Sequence, residues 1–205
     1  MTEKEKMIQG LLYDPSDPEL YRLQIRARRL ARAYNAIDEE EAEKREAVLK
    51  ELLCESENIP YLAGPIHFDY GFNTRFGKYC FANFNFICLD VAPITIGENV
   101  LMGPNVTLAA PMHPLMAEER NIRFHKDGSI YNLEYAKPIV IEDSCWLAGN
   151  VTVCGGVTIH EGAVIGAGSV VTRDIPPRCI AAGSPCRVIR PLTEADYMEK
   201  EKQLV

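Results

Sequence analysis

The sequence predicts a mainly β solenoid made of short strands that turn a corner and repeat, with helical segments before and after it. The main observation is a repeat of six residues over 141–175, in which every block opens with a branched aliphatic residue. A helix would need apolar residues at three- and four-residue spacing, and an ordinary strand would need alternation. A period of six instead indicates stacked coils, whose aliphatic side chains form a ladder along the core and whose ends need caps.

Two positions of each six-residue block are predicted to point inward. The first position is always a branched aliphatic, and the fifth is mostly small or β-branched. Small residues, several of them glycine, stand where the backbone must bend. The first positions are Ile141, Leu147, Val153, Ile159, Ile165 and Val171, and the fifth positions are Cys145, Val151, Val157, Ala163, Ser169 and Ile175.

Composition limits the class of protein. A chain of 205 residues is long enough for one domain with a helical appendage. Its net charge of -7 argues against nucleic acid or an anionic membrane as the main partner. No apolar run reaches membrane-spanning length and the N-terminus is charged, so we expect a cytoplasmic protein. The seven cysteines include no CxxC pair, and we interpret them as reduced packing residues.

Residues 1–58 are predicted to form a helical cap on one end of the solenoid. A short helix around Met7 is broken by the two Asp-Pro pairs that begin at Asp14 and Asp17. The next helix, over 19–36, has apolar residues on one face and arginines over much of the rest. Asp38 is predicted to be the N-cap of a third helix, which ends near Leu53.

Residues 59–190 are predicted to form the solenoid, and 191–205 a short helical tail. The six-residue rhythm slips by two residues in the early coils, which indicates a widened corner near 88–93. The ladder is then interrupted over 109–138 by a long polar loop. Loops of this length in compact domains usually carry function.

Several segments outside the ladder combine into an ordered set of motifs. They are Glu3-Lys-Glu-Lys-Met7-Ile-x-Gly10-x-Leu-Tyr13, Ala82-Asn-Phe-Asn85, Leu89-Asp-Val91, Gly103-Pro-Asn-Val106, His113-Pro114 followed by Glu119-Arg120, Tyr135-Ala-Lys-Pro138 and Ala182-Gly-Ser-Pro185-Cys-Arg187-Val-Ile189. This set covers nearly the whole chain and resembles the hexapeptide-repeat acyltransferases, specifically the maltose and galactoside O-acetyltransferase group with its nodulation-factor acetyltransferase relatives. A six-residue ladder alone would identify only the fold, whereas the ordered set is much more specific.

The resemblance implies a left-handed parallel β-helix of triangular section, assembled as a homotrimer with active sites between neighbouring subunits. It also implies transfer of acetyl from acetyl-CoA, a co-substrate, to a hydroxyl of a sugar such as maltose, glucose or a galactoside. No metal is required for this reaction. The physiological acceptor stays open, because Phe72 and the longer loop over 121–132 depart from typical members of the group.

The chemistry of acetyl transfer needs a base, since a sugar hydroxyl is a poor nucleophile until its proton is removed. A histidine suits this task, and His113 matches the catalytic histidine of the family. Glu134 is a candidate to orient His113, with a solvated loop carboxylate as the alternative. By resemblance, a backbone N–H at or near Gly149 would stabilise the oxyanion during direct attack on the thioester.

Further residues match the family's binding positions. Asn83 and Asp90 match groups that contact the sugar, together with an acidic residue that is either Asp14 or Asp17; we favour Asp17. Arginines near the end of the ladder suit the phosphates of coenzyme A, although a solvated basic rim is the alternative. The positions that match the coenzyme A site are Trp146, which would line the pantetheine channel, Gly149, Ala167, Thr172, Arg173, Arg187 and Arg190.

Two other classes of function compete with the acetyltransferase. A hexapeptide carbonic anhydrase would need three histidines around zinc and no coenzyme A site. A non-catalytic β-helix would serve as an assembly module and release no thiol from acetyl-CoA.

Overall fold

The computed structural model describes residues 1–198, which form three N-terminal helices followed by a parallel β-helix of about six coils. The helices are α1 (Glu3–Ile8), α2 (Pro18–Asn35) and α3 (Ala42–Leu52). This arrangement confirms the predicted mainly β fold class. Within residues 1–198, no helix is both long and apolar enough to cross a bilayer.

Each coil contributes short strands. The first two coils contain β1 (Tyr61–Leu62), β2 (Ile66–Phe68), β3 (Thr74–Phe76), β4 (Phe81–Ala82), β5 (Phe86–Leu89) and β6 (Ile94–Ile96). The third contains β7 (Leu101–Met102) and β8 (Thr107–Ala109), then the inserted loop with β9 (Pro111–Met112), α4 (Ala117–Arg120), β10 (Arg123–Phe124), β11 (Ile130–Tyr131) and β12 (Tyr135–Ala136), and closes with β13 (Ile139–Ile141). The later coils contain β14 (Trp146–Leu147), β15 (Thr152–Cys154), β16 (Thr158–Ile159), β17 (Val164–Ile165), β18 (Val170–Val171) and β19 (Cys179–Ala182), and β20 (Arg187–Pro191) folds back antiparallel to β19.

The coils stack into three sheets that form the faces of a prism. Their strand orders are β1-β4-β7-β14-β17-β19-β20, β2-β5-β8-β15-β18 and β3-β6-β13-β16. We call the corner between the first and second sheets the first edge; it comprises residues 83–85, 103–106, 148–151 and 166–169. The corner between the second and third sheets is the second edge; it comprises residues 90–93, 110–138, 155–157 and 172–174.

The six-residue ladder forms the core of the prism. All six first-position aliphatic residues, from Ile141 to Val171, have exposed fractions of 0 %. The fifth-position side chains, from Cys145 to Ile175, are at most 2 % exposed. Both inward positions inferred from the repeat are therefore buried, as predicted.

Early coils are longer than late ones, and the second edge accounts for the difference. Tyr61 pairs with Phe81, 20 residues later, whereas Trp146 pairs with Val164, 18 residues later. On the second edge four residues, 90–93, separate β5 from β6, while the register leaves two residues between the equivalent positions 154 and 157. The slip in the sequence rhythm thus marks a wider corner, at the predicted place.

The N-terminal segment packs against the early coils. Asp17 caps α2 by accepting hydrogen bonds from the backbone N–H groups of residues 19 and 20, and Pro18 follows in the first turn, where its missing N–H costs nothing. Gly71 lies so close beneath α3 that a Cβ there would stand 2.4 Å from the carbonyl oxygen of Leu52.

One helix prediction needs correction. The third helix begins at Ala42, not directly after Asp38, because Asp38 instead accepts a hydrogen bond from the backbone N–H of Glu40 and closes a local turn. In the predicted tail over 191–205, the described residues 191–198 include a short 3-10 turn at Glu194–Asp196. The part of that prediction on residues 199–205 lies outside the described residues.

Candidate active site

The inserted loop leaves and rejoins the second edge as a two-stranded ribbon, and this ribbon brings His113 and Glu134 together. Met112 of β9 pairs with Tyr135 of β12 in antiparallel register. His113 and Glu134 are the next residues outward on the two strands. They therefore face each other across the ribbon, although 20 residues of loop separate them in the sequence.

The imidazole of His113 lies between two oxygen acceptors. Its Nδ1 is 3.2 Å from the carbonyl oxygen of Leu133, and its Nε2 is 3.6 Å from Oε1 of Glu134. A carbonyl oxygen can only accept, so we assign the proton of the neutral ring to Nδ1. Nε2 then carries the lone pair. Because the side chain is 41 % exposed, a substrate can reach it.

Glu134 is held in turn by Tyr13 of the N-terminal segment. The two residues exchange backbone hydrogen bonds of 2.9 and 3.1 Å, and the Tyr13 hydroxyl donates to Oε2 of Glu134. Tyr13 is 1 % exposed, and its burial beside the Glu134 carboxylate raises the pKa of the phenol far above its ordinary value. The hydroxyl therefore stays a donor throughout the ordinary pH range.

The N-terminal segment and the loop tip also share a polar cavity of about 680 Å³. Both Asp14 and Asp17 line it, so the structure does not separate the two candidates for the acceptor contact. Asp14 Oδ2 lies 2.9 Å from Nε2 of His125, whose ring stacks on Tyr131 at 4.2 Å between centroids. Both cap hydrogen bonds of Asp17 use Oδ1, which leaves Oδ2 without a role in the cap.

The two other residues predicted to contact the sugar lie in different surroundings. Asn83 is half-buried on the first edge, where its Oδ1 accepts a hydrogen bond of 2.7 Å from the backbone N–H of Phe84. Asp90 is 0 % exposed inside the solenoid, where it accepts hydrogen bonds from the backbone N–H of Tyr70 and the hydroxyl of Thr74. Burial raises the pKa of Asp90 to about 6. This environment argues against a sugar contact and indicates that Asp90 holds the wide corner together.

The residues predicted to bind coenzyme A divide between two edges and the last strand. Gly149 and Ala167 occupy equivalent places on the first edge, where the N–H of Gly168 donates to the carbonyl of Gly149 at 2.9 Å. Within residues 1–198 the N–H of Gly149 donates no hydrogen bond. Trp146 is 51 % exposed on the first sheet. Exposed residues on the second edge and on β20 complete the set: Thr172, Arg173, Arg187 and Arg190.

Arg190 is already engaged by a carboxylate. Its two terminal nitrogens donate to the two carboxylate oxygens of Asp196 at 2.7 and 2.5 Å. This pairing lowers the pKa of Asp196 and raises that of Arg190. Arg190 would have to give up this partner before it could bind a phosphate.

One chain does not bring all the predicted catalytic residues together. His113 and Glu134 project from the second edge, whereas Gly149 lies on the first. The strand β15 runs between these edges, so about six residues of extended chain, or roughly 20 Å, separate them. Sequence motifs could not show this separation, because they order residues along the chain and not around the prism.

Sequence reasoning assigned no role to two groups at the site. The carbonyl oxygen of Leu133 left no signal, because every residue has a carbonyl group. Tyr13 closes the N-terminal motif, but its partner Glu134 is 121 residues away, so the motif gave its hydroxyl no role.

Comparisons with known proteins agree with this architecture. The maltose acetyltransferase hexapeptide capping motif matches residues 6–56, and the bacterial transferase hexapeptide family, with six repeats, matches residues 138–173. The galactoside O-acetyltransferase of Escherichia coli K12 is 38 % identical over 96 % of this chain and 92 % of its own length.

Two solved structures are similar over nearly their whole length. A maltose O-acetyltransferase from Clostridium difficile 630 has a TM-score of 0.85 and 42 % identity, with 95 % of this chain and 99 % of that chain covered. A hexapeptide-repeat acetyltransferase from Vibrio cholerae, complexed with acetyl coenzyme A, has a TM-score of 0.79 and 35 % identity, with 95 % of this chain and all of that chain covered.

Proposed function

This chain belongs to the hexapeptide-repeat acetyltransferases of the maltose and galactoside O-acetyltransferase group, and on that premise we propose that it moves acetyl from acetyl-CoA to a sugar hydroxyl. The observation that carries the proposal is the setting of His113. We assign the proton to Nδ1, which faces the carbonyl oxygen of Leu133, and the partly exposed imidazole presents Nε2 to the Glu134 carboxylate.

In the proposed reaction, Nε2 of His113 accepts the proton of the sugar hydroxyl as the oxygen attacks the thioester carbonyl carbon. The carboxylate of Glu134, 3.6 Å away, stabilises the imidazolium that forms. Collapse of the tetrahedral intermediate breaks the carbon–sulfur bond, and the departing thiolate takes the proton from Nε2. Atoms and charges balance without a covalent enzyme intermediate.

The oxyanion of the intermediate needs a donor, and the N–H of Gly149 is our candidate. Since Gly149 and His113 lie on different edges of one prism, we assign them to different copies of the chain, paired across a trimer interface. A column of outward-facing apolar side chains supports such an interface. Tyr61, Phe81, Leu101 and Trp146 stand in register on successive coils of the first sheet.

We place acetyl-CoA, with which the Vibrio cholerae relative is complexed, along this interface. Gly149 and Ala167 offer a surface with little side chain for the pantetheine arm, beside the indole of Trp146. Arg173 and Arg187 carry positive charge for the phosphates, and Thr172 can donate its hydroxyl. On the acceptor side we keep Asn83 and Asp17, and we omit Asp90 because it is buried.

Three of the histidines have separate partners, which disfavours the carbonic anhydrase alternative. His113, His125 and His160 lie close to Glu134, Asp14 and Glu142 respectively. Within one chain they therefore belong to three different pairs and do not converge on a shared point.

Thiol release from acetyl-CoA, measured against a panel of maltose, glucose, galactosides and non-sugar alcohols, tests the proposal. We expect release that depends on a sugar, with the acetylated sugar identified by mass spectrometry. Coenzyme A binding without release for any acceptor would favour an assembly module. Stoichiometric zinc with carbon dioxide hydration would favour the carbonic anhydrase.

A further inference from the structure

We propose that Tyr13 is a positioning residue of the active site, which sets the Glu134 carboxylate for His113. This inference rests on the proposed function, since it gives Tyr13 a role through the general base. It also gives the N-terminal segment a part in catalysis, beyond capping the solenoid.

Three contacts tie Tyr13 to Glu134. The backbone groups of the two residues bond in both directions, at 2.9 and 3.1 Å, and the phenol donates to Oε2. The backbone pair fixes where Glu134 stands, and the phenol fixes how its carboxylate is turned. Oε1 is then left to face Nε2 of His113 at 3.6 Å.

Oε2 of Glu134 accepts from Tyr13 while Oε1 faces His113, so the Tyr13 hydroxyl is needed to keep the carboxylate in this orientation. Without it, the Glu134 side chain, which is 20 % exposed, could rotate toward water. The imidazolium that forms during proton transfer would lose a fixed negative charge nearby. Losing this hydrogen bond should therefore slow turnover at least about tenfold, the equivalent of about 1.4 kcal/mol in the activation barrier.

Burial suits Tyr13 to this role. The ring is 1 % exposed and cannot turn away, and a phenol that stays protonated always offers a donor to the carboxylate. A histidine or lysine at this place would change charge with pH, whereas the phenol does not.

The test compares the single variants Tyr13→Phe and Glu134→Gln with the double variant, in the full-length protein. We expect Tyr13→Phe to lower kcat at least about tenfold, with the KM values for acetyl-CoA and acceptor within about twofold. We expect the double variant to be no slower than Glu134→Gln alone, because both changes remove the same interaction.

Tyr34→Phe is the matched control. Tyr34 is also buried, and its hydroxyl donates to a backbone carbonyl, that of Leu62, far from the loop. It should lower the melting temperature and leave kcat unchanged.

Different results would overturn the role of Tyr13 and the role of His113 as the base. Wild-type kcat in Tyr13→Phe, or losses in the two single variants that multiply in the double variant, would overturn the role of Tyr13. If Tyr13→Phe does not fold, an unchanged kcat in Glu134→Gln would overturn it equally. A His113→Ala variant that keeps full activity would instead remove the proposed base itself.

Discussion

The ladder over 141–175 and the inserted loop over 109–138 differ in burial and in regularity, although both belong to the same prism. Ladder side chains at the inward positions are buried and repeat, so each coil copies the geometry of the one before. In the loop Leu115 is 87 % exposed and Phe124 71 % exposed, and the ribbon brings together two residues that have no counterpart in the repeat. The repeat therefore supplies a frame of buried side chains, and the proposed base, His113, lies where the repeat is interrupted.

The largest effect on turnover should come from the loop. We predict that His113→Ala lowers kcat by at least about 100-fold, the size of a typical general-base contribution. His160→Ala is the matched control, because His160 also sits beside a carboxylate, with Nδ1 3.1 Å from Glu142, but on a ladder corner. Equal losses of kcat in steady-state assays of both variants would contradict a special role for the histidine of the inserted loop.

The largest effect on stability should come from the ladder. Leu147 is 0 % exposed, and Leu147→Ala should cost about 2–5 kcal/mol in the free energy of unfolding, because it leaves a cavity between coils. Leu115→Ala, on the exposed loop, should change it by less than about 0.5 kcal/mol. Urea titration of both variants gives the numbers, and comparable losses would contradict a rigid ladder and a loosely packed loop.

The buried carboxyl of Asp90 should make the folding stability of the solenoid depend on pH. Its carboxyl is buried and its pKa in the folded chain is about 6, above the ordinary value of 3.8. The stability that its protonation contributes is therefore fully present below about pH 4 and is lost as the pH rises through 6, on the order of 3 kcal/mol.

Asp90→Asn should remove this part of the pH dependence. The amide can accept from the Tyr70 N–H and donate to the Thr74 hydroxyl, so the variant keeps both hydrogen bonds. Denaturant titrations at pH 4.5 and 7.5 would check it. An unchanged difference between the two pH values would show that Asp90 does not titrate in this range.

The smallest effect should come from the arginines near the end of the ladder. Arg173→Ala should raise the KM for acetyl-CoA about tenfold, the equivalent of about 1.4 kcal/mol. Arg190→Ala should raise it less, because Asp196 already holds that guanidinium. A larger effect at Arg190 than at Arg173 would mean that the Arg190–Asp196 pair opens when the co-substrate binds.

Much of the fold could be predicted from the sequence because the same pattern of inward-facing residues recurs in every six-residue block. The buried ladder positions, the wide corner at 90–93 and the interruption that carries His113 were all readable in this way. Helix boundaries were less certain, since Asp38 can close a turn as readily as cap a helix.

The site was only partly predictable, because its contacts depend on folding around the prism. Motif matching placed Asp90 among the sugar-binding residues, but the chain buries it inside the wide corner. The same matching included Tyr13 in a motif but could not give its hydroxyl, or the carbonyl of Leu133, a role, because both reach the site through tertiary contacts and a ribbon turn.

The central claim is that His113 is the general base. Its most direct test is the kcat of His113→Ala for thiol release, measured with a sugar acceptor at a temperature below the melting temperature of the variant. We predict a wild-type melting temperature and coenzyme A affinity, together with a loss in kcat of at least about 100-fold. Turnover close to that of the wild type, in a variant that still folds and binds coenzyme A, would show that the chemistry does not depend on the inserted loop.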